Sequence, residues 1–141
     1  ATQPAVRVFS KASGVNRDAF GLNELLFDVL VCETGLTQSA RGATELAFVT
    51  KGLWAIESEM ARDSREAIFD FNKLVLASSA ELLFVGPQVS DEAAYIQALL
   101  RPAAFCKGAV HVGLVPHPDK WDIVPPSVHL WHFVENGWVE E

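Results

Sequence analysis

The sequence predicts an α/β fold of three layers, a mixed central sheet flanked by helices. Three observations carry that expectation. Short apolar runs at Leu82–Val85 and Ala109–Val115 alternate with helical stripes, the pattern of parallel strands joined by crossover helices. Two earlier strand-like runs, Thr44–Val49 and Leu53–Met60, bracket Thr50-Lys51-Gly52, which suits a tight hairpin and makes the sheet mixed. The 141 residues are half hydrophobic and 21% charged, enough for one domain over 1–141 with its own core.

The elements follow in order. Ala5–Phe9 reads as a short strand, and Ser13-Gly14 marks a loop. Asn16 suits an N-cap, so Arg17 to about Glu33 reads as a helix. Phe20, Leu22, Leu25, Leu26, Val29 and Leu30 give it a broad apolar face, and Gly35 suits its C-terminal stop. Leu36–Gly42 leaves room for a short strand before the hairpin. Ser64 suits the cap of a helix from Arg65 to about Ser79, with Ile68, Phe71, Leu74 and Val75 as its stripe. Gly86-Pro87 closes the next strand. Ser90 opens a helix with Asp91 and Glu92 at its positive end, and Pro102 ends or kinks it. Pro116-His117-Pro118 breaks the following strand. Val128–Val134 is the last long strand, turned by Asn136-Gly137 into a short one near Trp138.

Charge and composition narrow the function. A formal net charge of −7 opposes loose electrostatic binding of nucleic acid, although a local basic patch is compatible with it. Cys32 and Cys106 form no paired motif and read as buried, reduced thiols. Ala1–Phe9 lacks the apolar run of a signal peptide, and no stretch approaches the ~20 apolar residues of a membrane span. The cytoplasm, with no membrane partner, is the expected setting. No GxGxxG, P-loop, GxSxG or HExxH is present.

Glu45–Val85 carries the chemistry. Glu57 and Glu59 are two apart in a strand and therefore share a face. With a hairpin centred on Lys51, Glu45 would lie opposite Glu57, and three carboxylates would converge. Like charges opposed in a sheet repel, and a divalent cation or a proton relieves them. Mg²⁺ suits carboxylate oxygens plus water. The next helix offers Asp70 and Lys73. Lys73 can neutralise the carboxylates, hold a phosphate or stabilise charge on an attacking water. Arg62 and Arg65 can add phosphate contacts. Phosphodiester hydrolysis uses this inventory. The plainer reading is also open: an ExE as the solvated face of a strand, and Lys73, Arg62 and Arg65 as surface cations.

Glu45, Trp54-Ala-Ile-Glu57-Ser-Glu59, Asp70-Phe-Asn-Lys73-Leu and Leu82-Leu-Phe-Val85 together resemble the PD-(D/E)xK, or restriction-endonuclease-like, superfamily. The resemblance covers roughly Arg17 to Val85. It implies a core of a helix, a three-stranded meander, a helix and a further strand. It places the first acid on the second strand, as Glu45, and the second on the third strand, as Glu57. Two positions depart from the family pattern. Glu59 stands where the usual lysine does, and Thr44-Glu45 replaces Pro-Asp. In some members the lysine sits on the following helix, where Lys73 lies, and Glu24 matches an extra acid that others carry. The implied metal set is Glu45, Glu57 and Glu59 with Mg²⁺ or Mn²⁺, and Lys73 completes the catalytic set.

Two functions stay open on these residues. One is a metal-dependent nuclease acting on nucleic acid, as a homodimer or with a protein partner. The other is a catalytically inactive binding or regulatory module on the same fold. The histidines read as ordinary, partly buried residues. His129 and His132 are three apart in a strand and face opposite ways, and His111 and His117 lack zinc spacing. His117, between two prolines at a strand end, is a minor site candidate. Trp121, Trp131 and Trp138 are expected to pack the terminal hairpin against the sheet or a partner subunit.

Overall fold

Strand alternation sorts the apolar side chains of this chain onto one face of a sheet. In the structure, a computed structural model that describes residues 4–141, Ala55, Leu82, Phe84, Val110, Val112 and Leu114 are buried in a single core. They come from three neighbouring strands and recur at every second position, so they share a face. The strands are β1 (Ala5–Ser10), β2 (Val29–Gln38), β3 (Glu45–Ser58), β4 (Glu81–Pro87), β5 (Ala109–Val115), β6 (His129–Val134) and β7 (Gly137–Glu140). They form one seven-stranded sheet in chain order. β1, β2 and β3 are an antiparallel meander, β3, β4 and β5 run parallel, and β5, β6 and β7 are antiparallel again.

Helices α2 (Ser64–Leu76), α3 (Glu92–Ala98) and α4 (Leu100–Ala104) cover the buried face. Ala67, Phe71 and Leu74 of α2 sit at helical spacing and are fully buried. Tyr95, Ile96, Leu99 and Ala103 complete the layer. A smaller cluster of Phe9, Leu30 and Cys32 continues it past β3, and Phe20 packs edge-on to Phe9 at 4.7 Å. The opposite face presents Trp54, Ile56, Leu83, Val85, His111, Leu130 and His132, all only half-buried. The α/β class and the mixed sheet therefore hold. Among the described residues, the expected helical layers are met on one face only. No helix among them is long and apolar enough to cross a membrane.

Two expected elements are corrected. The helix from Arg17 ends after one turn, as α1 (Arg17–Phe20), because Gly21 adopts the left-handed conformation at φ 74°. Val29 to Gln38 is strand β2, not helix, and the β-branched Val29 and Val31 suit it. Gly35 lies within β2, opposite Phe48, and stops no helix. The expected hairpin at Thr50-Lys51-Gly52 is likewise absent. β3 runs unbroken through it, and the reversal falls at Ser39–Thr44, where Ser39 N–H donates to Thr44 O at 2.8 Å and Gly42 has φ 67°. Two register shifts between β2 and β3 bulge the pair near Lys51.

Elsewhere the elements match closely. Asp63 rather than Ser64 caps α2, and Asp91 rather than Ser90 caps α3. Pro102 lies in the first turn of α4, where no N–H is needed. Glu135 and Asn136, both at positive φ, turn β6 into β7. Of the three C-terminal tryptophans expected to pack, Trp131 and Trp138 lie against the core, whereas Trp121 is 62% exposed in the segment between β5 and β6. Both thiols are free, and burial raises the pKa of each, Cys106 to about 11.

Gly52 is a point of close approach, not a turn. A Cβ there would lie 2.3 Å from Ser79 Oγ and 3.2 Å from Ser79 Cα. Gly52→Ala is expected to cost about 2 kcal/mol in urea unfolding. Ser79→Ala in the same chain should recover part of that loss. An additive or neutral outcome would contradict a continuous β3 packed on Ser79.

Candidate active site at the end of strands β2 and β3

Glu57 occupies the last inward position of β3. It follows Ala55 on the helix-covered face and pairs with Phe84 of β4. Its residue exposure is 1%, rare for a carboxylate. Two contacts answer for it. Lys73 Nζ donates to Oε2 at 2.8 Å, and the backbone N–H of Asp28 donates to Oε1 at 3.3 Å. α2 places Lys73 over the strand end because its neighbours Phe71 and Leu74 anchor the helix in the core. Lys73 is itself 46% exposed, so its stem reaches along the helix while its amine meets both Glu57 and solvent. Asp70, one turn earlier, stands 3.4 Å from the same amine.

Asp28 is the residue that sequence reasoning missed. It precedes β2, whose antiparallel pairing brings it beside the end of β3. Its Oδ2 accepts from Ser58 N at 2.8 Å and from Ser58 Oγ at 2.7 Å. Asp28 and Glu57 are thus interlocked, each holding the other's backbone neighbourhood. The run Val29-Leu-Val-Cys directly after Asp28 was the available signal, since it favours a strand.

Glu45 is corrected in the opposite direction. It lies at the far end of the same strand, exposed and opposite Gln38. At ~3.3 Å per residue it is roughly 40 Å from Glu57. The two cannot share a metal within one chain. Glu24 is exposed in the loop after α1, not in a helix. Glu59 follows β3 with its N–H donated to Val85 O at 3.0 Å. Its Oε1 accepts from Ala61 N at 2.7 Å and shapes the loop into α2. Its charge also reaches Tyr95, whose pKa is pushed up to about 12, first by burial and then by Glu59. Arg62 pairs with Asp119 at 3.2 Å and ties the loop after β3 to the loop after β5. Arg65 is exposed on the first turn of α2. His117 caps a short 3-10 turn by accepting from Asp119 N, a structural role.

The electrostatics are uneven. Burial pushes the Glu57 carboxyl above the usual carboxylate range, the Lys73 bond pulls it down, and the Asp28 charge pushes it up again. The net direction is up. Lys73 is held above its ordinary value, chiefly by its bond to Glu57. Among the described residues, no three His, Cys, Asp or Glu side chains gather as a ready metal cage. The two acids brought beside each other here are Asp28 and Glu57. Mg²⁺ or Mn²⁺ on such a pair would need water and substrate phosphate to complete its shell.

No family model, no curated protein and no solved structure matches this chain.

A raised carboxyl gives a signed stability test. Glu57 binds its proton to higher pH in the folded state than in the unfolded state. Its ionisation therefore removes stability as pH rises through the folded-state value. Glu57→Gln is expected to be about 1 kcal/mol more stable than wild type at pH 7. That gain should close in acid, where Glu57 itself is protonated. A variant clearly less stable at pH 7 would make the pair an ordinary structural salt bridge.

Proposed function

We propose that this chain hydrolyses phosphodiester bonds in nucleic acid with a divalent cation held by Asp28 and Glu57. The observation that carries the reading is the buried Glu57 carboxylate, interlocked with Asp28 and bonded to Lys73 at 2.8 Å. A buried acid kept beside a second acid weakens the fold unless it serves a purpose. The site lies at the C-terminal ends of the parallel strands β3 and β4, where α/β sheets place their ligands.

The resemblance to PD-(D/E)xK proteins draws on the element order from the meander onward, the helix of that core being reduced to the single turn α1 between β1 and β2. A three-stranded meander leads to α2, and β4 then lies parallel to β3. Asp28, at the head of the second strand, takes the place of the first acid in this reading. Glu57 keeps the place of the second. Glu59 holds the position of the usual lysine, and Lys73 supplies the amine from α2.

The cation, Mg²⁺ or Mn²⁺, would polarise the phosphoryl oxygen and lower the pKa of a bound water. The protein's own groups do the rest. Asp28 and Glu57 fix the donors, because each is already oriented by a backbone N–H. Lys73, between Glu57 and Asp70, orients the attacking water and faces charge that builds on the phosphoryl oxygens. The chain acts as a homodimer or with a protein partner that helps grip the substrate.

A catalytically inactive binding module is the second reading. The net charge of −7 and the lysine already seated on Glu57 favour it.

Mn²⁺ calorimetry with cleavage of single- and double-stranded substrates separates the two readings. Wild type should bind metal and cleave. Asp28→Asn and Glu57→Gln should lose both, Lys73→Ala should slow cleavage by about 100-fold, and Glu45→Gln should change neither. Absence of metal binding at millimolar Mn²⁺ would sink the nuclease reading in favour of the inactive module.

A further inference from the structure

The open face of the sheet carries a second polar cluster that the Glu57 site does not use. His111 of β5 lies directly opposite His132 of β6 in the antiparallel register. Their rings meet edge to face, with centroids 4.7 Å apart, and Nδ1 of one stands 2.6 Å from Nδ1 of the other. The far nitrogens both face carboxylates. His111 Nε2 is 2.7 Å from Glu81 Oε2. His132 Nε2 is 2.9 Å from Glu141 Oε1, at ion-pair distance although off the hydrogen-bond direction. Trp54 covers His111 at 5.5 Å.

The Glu81 bond favours the proton on His111 Nε2 and leaves its Nδ1 as a lone pair. His132 Nδ1, 2.6 Å away, meets that lone pair either as an N–H donor or, with its proton on Nε2 toward Glu141, as a second lone pair. In the second tautomer the contact needs a positive charge between the rings. A proton satisfies it by making an imidazole–imidazolium pair. A metal cation satisfies it by accepting both lone pairs, and a carboxylate behind each histidine is the outer shell that metal-binding imidazoles use.

We propose that His111 and His132 form a binding site for a borderline d-block divalent cation, Zn²⁺ or Cu²⁺, through their Nδ1 atoms. At Zn–N distances of about 2.0–2.1 Å, tetrahedral ligands stand about 3.3 Å apart. The rings need to part by only about 0.7 Å from their present contact, well within side-chain adjustment. Both histidines are partly exposed, at 20% and 23% of their side-chain surface, so water can complete the coordination. Imidazole ligands select Cu²⁺ and Zn²⁺ over Mg²⁺, the reverse of the carboxylates at Glu57. The two sites also lie on opposite faces of the sheet. The register of β5 and β6, not any sequence spacing, creates the pair, which is why the histidines read as ordinary from sequence.

The test uses the whole chain, stripped with EDTA and titrated with Zn²⁺, Cu²⁺ and Mg²⁺ by calorimetry. The expected result is one Zn²⁺ per chain, tighter Cu²⁺ and no Mg²⁺ signal that depends on these histidines. His132→Gln should abolish Zn²⁺ binding, Glu81→Gln should weaken it by about tenfold, and His129→Gln should leave it unchanged. Should His132→Gln fail to fold, imidazole ¹⁵N spectra of wild type give the same answer, since Zn²⁺ should move the Nδ1 signals of His111 and His132 together. Zn²⁺ binding that survives His132→Gln, or Nδ1 signals that titrate with acid but ignore Zn²⁺, would leave a shared proton only and overturn the site.

Discussion

The buried carboxylate of Glu57 is the constraint around which this end of the molecule is arranged. An ionised acid at 1% exposure needs charge and hydrogen bonds supplied locally. α2 supplies the amine, and the turn into β2 supplies a backbone N–H. Both must be rigid to do so. The core stripe Ala67, Phe71 and Leu74 fixes α2, and the ladder between β2 and β3 fixes Asp28. Packing and polar satisfaction are therefore coupled here.

The sheet explains why the site lies where it does. Parallel β3 and β4 end together, and α2 must cross from the end of one to the start of the other. The crossover carries Asp70 and Lys73 back over the strand ends. On the other face, the same alternation that buries Ala55 and Glu57 turns Trp54 and Ile56 outward. It also brings the His111–His132 pair to the open side. One sheet thus carries the Glu57 carboxylate on its covered face and the His111–His132 pair on its open face.

The sequence was most legible where one period dominated. β5 matches Ala109–Val115 because a continuous apolar run closed by Pro116 admits little else, and α2 matched through its stripe, with its cap one residue earlier at Asp63. The region from Arg17 to Ser58 misled for a physical reason. Phe20, Leu25, Val29 and Leu30 happen to fall at helical spacing, yet Gly21 turns left-handed and the chain enters a strand. Gly52 resembled a turn glycine, although it serves contact with Ser79. That second error moved the inferred partner of Glu57 from Asp28 to Glu45. Glu57 and Lys73 were legible because strand parity and a following helix sufficed to place them together. Asp28 depends on a pairing between distant segments, and the run Val29-Leu-Val-Cys after it signals a strand without naming that strand's partner.

The most direct test of the central claim is paramagnetic broadening of amide signals by substoichiometric Mn²⁺ in uniformly ¹⁵N-labelled protein. If Asp28 and Glu57 hold the cation, the signals of residues 27–29, 57–59 and 70–73 should broaden first, and those of residues 38–46 should stay sharp. Broadening centred on Glu45, or spread over exposed acids with no focus at Glu57, would contradict the account.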